Sequence, residues 1–457
     1  MDRVAHLGGR LVVSRQPLIA IVGGGYAGMA AAVTLADTGF KCVVLEAGKT
    51  LGGRARRIEY RGAVLDNGQH ILAGAYTELL RLMRLVGVAD AALRRVPLRL
   101  SIPPDFLLCT SRSRLIPQSL QMAWALLTAS GLTVADKMAA IRFMQALKCG
   151  KFQVEASMSV ATLLAAHRQP QNLIDHLWQP LTISALNTPI AIASAQIFAN
   201  VLRDSLGSTP EASDLLLPCV DLTALFPDPA ATWLGVRGGD VRIGVHVKQV
   251  VAVGGGFDVI SDAHTLHADC VIFAVGPHQL AGLMADIVPP AISYEPIVTV
   301  YFKFDQPVRL PEAMLGQTRG LTQWFFDRQA LNADSHQDSS RADDGGLIAA
   351  VISASGPHDL LSQDDLADLV LAELAQHIPD LPLPVWRKVV TEKFATFACT
   401  PKAQRPTVAT CHPGVFLAGD YVAGDYPATL EGAVRNGVAA ADQTRKYLDF
   451  SSAQTRK

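Results

Sequence analysis

Cysteine is scarce and scattered: seven residues, at positions 42, 109, 149, 219, 270, 399 and 411, with no close pair. That spacing excludes a zinc knuckle, an iron–sulfur run and a CxxC redox pair, and an odd, dispersed set fits core thiols in a reducing compartment. Charge is sparse as well. Charged residues make up 18%, and 40 basic against 41 acidic side chains leave a net charge of -1, without the basic excess that a nucleic-acid partner brings. No apolar stretch reaches the ~20 residues needed to cross a bilayer before a charge or a glycine turn interrupts it. Residues Met1–Arg15 carry basic side chains but no following apolar segment with a small-residue cleavage site, so they read as a short disordered tail and not as a secretory signal. A cytoplasmic protein is expected, with a peripheral hold on the inner face of the membrane left open. Aromatic residues are 6%, few for a cage around a cationic amine. There is no Gly-x-Ser-x-Gly elbow, no phosphate loop with its lysine, no metal-ligand spacing of His, Cys and carboxylates, and no internal repeat.

What is present is an ordered unit over Leu18–Ala47: an apolar run, the turn Gly23-Gly24-Gly25-Tyr26-Ala27-Gly28, an alanine-rich helix, and a second apolar run that stops at Glu46. Gly23 permits the tight strand-to-helix turn, Gly25 lets the backbone approach a pyrophosphate, and Gly28 lets the helix pack closely. The free N–H groups of the helix start face the phosphates, with Tyr26 and Ala27 in that first turn. Glu46, followed by Ala47, is placed to accept from ribose hydroxyls, which disfavours a 2′-phosphate and points to FAD or NAD(H).

At 457 residues the chain exceeds what one core usually serves. Helices are expected near 76–86, 119–147 (two, broken at Ser130-Gly131), 160–167, 173–178, 191–204, 222–226, 361–377 and 428–448. Leu107–Ile116 reads as a hairpin, and Ala330–Asp344 as an exposed polar loop. Asp269–Pro277 reads as a buried parallel strand returning to the nucleotide domain, and Pro296–Phe304, Thr322–Asp327 and Gly346–Ser353 as strands of a second sheet. The helical insert, rich in Met122, Trp124, Leu126, Leu127, Met138, Phe143 and Met144, is either a packed core or the wall of a tunnel for a hydrophobic substrate.

Three further clusters carry chemistry. Gly52-Gly53-Arg54 lets backbone run close to a cofactor, with Arg54 on a phosphate or ribose; a plain solvated turn is the alternative. Gly419-Asp420 repeats that logic near the other end, where an acid accepts from a ribityl hydroxyl, and a grip from both ends favours a retained FAD. Asp66-Asn67-Gly68-Gln69-His70 is a dense polar run that lines the reacting centre or forms a satisfied structural network. His70 is the preferred proton carrier because its ordinary pKa lets it reach either protonation state. Asp66 either orients it or bonds only to backbone amides.

With these residues assembled, the chain resembles the squalene-associated FAD-dependent desaturase group, whose members act as hydroxysqualene dehydroxylases, within the carotenoid desaturase and flavin amine oxidase superfamily. The resemblance rests on VGGGYAGMAAAVTLADTG, VLEAGKTLGGRARR, DNGQHILAGAY, LWQPLTISALNTP, SAQIFANVLRDSLG, SDLLLPCVDLTALFPDPA and YPATLEGAVRNGVAAA, which run from Val22 to Ala441. It implies an α/β fold: an FAD-binding Rossmann-like domain (18–90, 237–283 and 406–450, after a tail at 1–17) interleaved with an α+β substrate domain (91–236, mainly helical, and 284–405, sheet plus helix). Gly23, Gly25, Gly28, Glu46, Gly53, Arg54, Val247, Gly419 and Asp420 fall on the FAD motifs, with the Val247 backbone at the adenine. Gly68, Gln69 and His70 lie near the isoalloxazine, as do Tyr426, Ala428 and Thr429, and Tyr426 is an alternative proton donor. The implied reaction is reductive dehydroxylation of hydroxysqualene to squalene, in squalene and hopanoid biosynthesis. The implied partners are a C30 isoprenoid substrate, an unidentified electron donor and squalene/presqualene synthase-like enzymes; no metal and no nucleic acid are expected. The same motifs suit a desaturase or oxidase of a carotenoid precursor or amine, and a non-catalytic flavin-binding escort for an isoprenoid.

Overall fold

A five-stranded parallel sheet organises the dinucleotide end, in the order Asp240–Ile243, Lys41–Glu46, Leu18–Val22, Cys270–Phe273, Val415–Leu417. The computed structural model describes residues 4–7, 10–13, 16–110, 121–262, 264–288, 290–332 and 345–455. Ile19, Ile21, Val44, Val271 and Ile272 are fully buried, as strands covered on both faces must be. Small side chains let the helix Tyr26–Asp37 lie against the final helix Leu430–Thr455. At Gly437 the approach is so close that a Cβ would stand 2.2 Å from the Ala27 carbonyl oxygen. A three-stranded antiparallel leaf, Val247–Val253, Gly256–Ser261 and Thr265–Ala268, connects the first and fourth of these strands.

The second large sheet is antiparallel, ordered Met314–Gly316, Trp324–Asp327, Leu347–Ser353, Tyr294–Lys303, Trp386–Phe397. Its side chains alternate between faces. Val298, Val300, Phe302, Phe325, Ile348, Ala350 and Ile352 pack with Leu366, Val370 and Leu374 of the helix Gln363–Ala375. Ile297, Trp324, Phe326 and Val351 point the other way, into a large cavity. The sheet thus has one face for stability and one for the site.

Several expectations require correction. Residues 4–7 and 10–13 pair as a short antiparallel hairpin, so the segment read as a disordered tail contains structure. The hairpin expected over Leu107–Ile116 is instead Arg99–Ile102 with Phe106–Cys109, turning at Pro103-Pro104, because Arg99–Ile102 supplies the inward Leu100 and Ile102; residues 111–120 lie outside the described set. Of the loop expected over Ala330–Asp344, residues 330–332 belong to a helix, Arg328–Asn332, with Leu331 buried; 333–344 lie outside the described residues. The sequence gives little sign of the twelve-residue strand Trp386–Phe397, since Arg387, Lys388, Glu392 and Lys393 interrupt its apolar pattern.

Candidate functional site

The cavity holds about 1130 Å³ and runs between the ends of the parallel strands, the inner face of the antiparallel sheet and the helices Gln179–Leu186 and Ala195–Ser205. Of the residues singled out from sequence, Gly23, Gly25, Tyr26, Ala27, Glu46, Ala47, Gly53, Arg54, Gly68, Gln69, His70, Val247, Gly419, Asp420, Tyr426, Ala428 and Thr429 all line it. Gly28 and Asp66 stand behind that lining.

Three of the four glycines in the first turn are held by different physics. Gly23 has φ +110, and a Cβ there would sit 2.5 Å from the Ala274 carbonyl oxygen. A Cβ on Gly28 would lie 2.0 Å from the Gly23 carbonyl oxygen. Those two are required by the protein's own packing. Gly25 is different: its φ of -76° suits any residue, and a Cβ would meet nothing nearer than Gly53 Cα at 3.7 Å. Its missing side chain leaves room in the cavity itself. The amides of Tyr26, Ala27 and Gly28 precede the first helical bond, from Met29 N–H to the Gly25 carbonyl, and no side chain caps them. Open space beside unpaired helix-start amides fits a pyrophosphate, so the residues present fit a dinucleotide such as FAD.

Glu46 is fixed by two backbone donors: Gly24 N–H to Oε2 and Gly48 N–H to Oε1, each at 2.6 Å. Each carboxylate oxygen keeps a second lone pair for a ribose hydroxyl. Arg54 ties two of the predicted segments together. Its Nη2 donates to Asp420 Oδ1 at 2.5 Å and its Nη1 to the Ala395 carbonyl at 2.8 Å, so both the cation and the buried acid are engaged by protein. The carbonyls that shape the segment after Asp420 converge on Arg405. Its guanidinium donates to the carbonyls of Asp420, Tyr421, Val422, Gly424 and Tyr426 and lies over the Phe397 ring.

The polar run at 66–70 is pinned to the antiparallel sheet. Tyr301 donates to the Asp66 carbonyl at 3.0 Å, Asn67 Nδ2 to Glu392 Oε2 at 2.9 Å, and the Gln69 amide to Thr299 Oγ1 at 3.4 Å. His70 Nδ1 is 2.8 Å from the Gly68 carbonyl oxygen. A carbonyl only accepts, so Nδ1 carries the hydrogen and Nε2 is left with a lone pair. Burial pushes the imidazole below its usual pKa, against the bond to Gly68 and the charge of Asp66, which favour the cation, while Arg54 opposes it. Asp66 itself accepts from the Leu222 amide at 2.9 Å and faces the buried Arg328 at 3.6 Å, so the hydrogen bond on the His70 ring comes from Gly68 and Asp66 contributes charge. Tyr426 donates its hydroxyl to Asp204 Oδ2 at 3.0 Å, and burial first, with Asp204 assisting, pushes the phenol up to about 12.

The far end of the cavity is apolar, with Leu98, Leu100, Leu181, Leu215, Met314, Trp324 and Phe326. Leu181 follows a π-helical turn, Ile174–Trp178, a distortion common near functional sites. The helices Gln121–Thr128 and Val134–Cys149 supply none of the lining. Their inner faces are ordinary core, Phe143 packing edge-on against Trp178, and the tunnel wall comes from later helices and from the sheet. Sequence reasoning missed Arg328, Arg405, Glu392 and Thr299. Thr299 and Glu392 sit in strands, Arg328 directly after one and Arg405 in a connecting segment, none within a motif, and only the pairing of distant segments brings them to the site.

The family described as flavin containing amine oxidoreductase matches residues 26–444. The chain is 28% identical over 439 residues to the hydroxysqualene dehydroxylase of Rhodopseudomonas palustris, covering 92% of this chain and 97% of that protein. It is 26% identical over 437 residues to the hydroxysqualene dehydroxylase of Zymomonas mobilis, with the same coverage. Among solved structures, an oxidoreductase from Methanosarcina mazei shares the fold with a TM-score of 0.72 at 15% identity, over 93% of this chain and 100% of that one.

Proposed function

The chain belongs to the flavin containing amine oxidoreductase family and is an FAD-dependent oxidoreductase, and on that premise we propose that it converts hydroxysqualene to squalene by reductive loss of the allylic hydroxyl. The observation that carries this reading is that one cavity joins the Gly23–Gly28 turn to a far end lined by apolar side chains, suited in character to a long hydrocarbon. The similarity to hydroxysqualene dehydroxylases supports it along nearly the whole chain.

In the reaction the carbon–oxygen bond breaks, the hydroxyl takes up a proton and leaves as water, and a hydride takes its place on carbon. Bound in its reduced form, FAD supplies that hydride. We assign the proton to His70. With Nδ1–H committed to Gly68, a second proton is taken up at Nε2, and burial makes the resulting imidazolium a stronger acid than a free one. Asp66 supports that cation through its charge. Tyr426 is the weaker candidate, since its hydroxyl is spent on Asp204 and its proton is held more tightly than in water. Leu98, Leu100, Trp324 and Phe326 exclude the water that would capture an allylic cation.

A reductant that regenerates the reduced cofactor and a supply of hydroxysqualene from squalene/presqualene synthase-like enzymes are part of this proposal. So is a peripheral hold on a membrane, where such a substrate partitions. Two exposed apolar pairs at helical spacing, Trp124 with Leu127 and Val134 with Met138, lie on adjoining helices and suit it. Among the described residues no helix is long and apolar enough to cross a membrane.

Anaerobic mixing of the reduced holoenzyme with hydroxysqualene tests the reading: flavin reoxidation with formation of squalene is expected. Bleaching of the oxidised holoenzyme by a carotenoid precursor or an amine would replace it with a desaturase or oxidase, and binding of isoprenoid with no flavin change would replace it with an escort.

A further inference from the structure

The side chain of Arg328 is 1% exposed, at the start of the short helix that follows the strand Trp324–Asp327. A buried cation is costly unless charge and hydrogen bonds compensate it, and the polar run at 66–70 supplies part of that compensation. Arg328 Nη1 lies 3.6 Å from Asp66 Oδ2 and donates to Gln69 Oε1 at 2.5 Å. A guanidinium has no acceptor, so Gln69 must present its oxygen to Arg328 and its NH2 elsewhere. That NH2 donates to the His70 carbonyl at 3.2 Å. One cation therefore touches both ends of the run and reaches the backbone of the histidine that faces the cavity.

We propose that Arg328 is the positioning residue of this site: through Gln69 it fixes the His70 peptide, and through Asp66 it limits the negative charge that the His70 ring experiences. The role in proton delivery rests on the dehydroxylase reading above; the geometric and electrostatic role does not. Among the described residues, Asp66 and Arg54 act on the His70 ring directly; behind them Asp420 pairs with Arg54, Glu392 of the Trp386–Phe397 strand with Asn67, and Arg328 with Asp66. Asp66 favours the imidazolium. Removing Arg328 removes the charge that offsets Asp66, so the imidazolium becomes easier to form.

The test follows the His70 ring directly, by NMR titration of the FAD-loaded protein, with His70→Asn identifying the signal. Arg328→Met is expected to move the titration midpoint upward by about one pH unit. Asp66→Asn should move it downward. The double variant, which leaves no lone buried charge, should return it toward the native value and keeps the test available if Arg328→Met fails to fold. Arg328→Lys, with charge but without the fork, should hold the midpoint more closely than Arg328→Met does. In single-turnover dehydroxylation, the limb on which the rate falls with rising pH should move with the midpoint. Variants that lower the melting temperature while the His70 midpoint stays fixed would overturn the proposal. A midpoint that follows Arg328 in an enzyme that makes no squalene would overturn the reaction and leave the positioning role standing.

Discussion

Replacing either of two glycines in one turn by alanine should produce opposite failures. In Gly28→Ala the new methyl lies 2.0 Å from the Gly23 carbonyl oxygen and 3.1 Å from Ala274 Cβ, so backbone must move. Overpacking of this kind costs about 1–3 kcal/mol, and with a backbone oxygen as the obstacle the upper end applies. The apoprotein should then melt at a clearly lower temperature. In Gly25→Ala the methyl meets only Gly53 Cα and the Gly52 carbonyl at 3.7–3.8 Å, and φ is -76°, so the apoprotein should stay within about 1 kcal/mol of the native chain. Its cost falls on the cofactor. A methyl standing where the pyrophosphate passes forfeits at least one charge-assisted hydrogen bond, about 1.5–3 kcal/mol, or ~10- to 100-fold in FAD affinity. Deflavinated protein melted by circular dichroism and titrated with FAD by fluorescence separates the two effects. A Gly25→Ala protein that binds FAD as tightly as the native chain would refute the assignment of that open space to the cofactor, whatever Gly28→Ala does.

Four other outcomes are expected. Tyr426→Phe should retain squalene formation within a few-fold and lose about 1 kcal/mol of stability for the bond to Asp204; a hundredfold loss of rate would make Tyr426 the acid. Because the folded pKa of His70 is lowered, the unfolded chain binds more protons as pH falls, so His70 destabilises the fold as pH drops through about 6.5 and below. His70→Asn should flatten that part of the pH–stability curve and remove most of the single-turnover oxidation of the reduced enzyme by hydroxysqualene. Arg405→Lys leaves three donors for five carbonyls and should cost about 2–4 kcal/mol, read as a lower melting temperature and easier loss of FAD. Trp124→Glu/Leu127→Glu should abolish cosedimentation with liposomes without unfolding, whereas Leu126→Glu, at a position 4% exposed, should unfold the protein; unchanged cosedimentation of the double variant would reject the membrane surface.

The dinucleotide half was legible because its constraints are local. A strand, a glycine turn, a helix and an acid follow one another within Leu18–Ala47, and each residue type answers a nearby need. The substrate half was less so. Its lining is assembled from single positions such as Leu100, Leu215, Met314 and Trp324 on separate short strands, where no periodicity announces a shared face. The composition of the long apolar helices suits a packed core and a tunnel wall equally, and the fold decides for core, with Phe143 and Leu126 buried. Arg328 and Arg405 were invisible because their partners, Asp66 and Gln69 in one case and five backbone carbonyls in the other, are defined only by the fold.

The strand order of the parallel sheet also sets a timetable for biosynthesis. Leu18–Val22 lies at its centre, yet its neighbour Cys270–Phe273 is made long after it, and the edge strand Val415–Leu417 after that. Until Cys270–Phe273 emerges the central strand has one flank unpaired and apolar, the condition under which nascent chains meet chaperones or aggregate. Asp420 and the helix Leu430–Thr455 complete the cofactor cradle later still. FAD supply during expression should therefore govern how much chain matures, as well as how much of it is active.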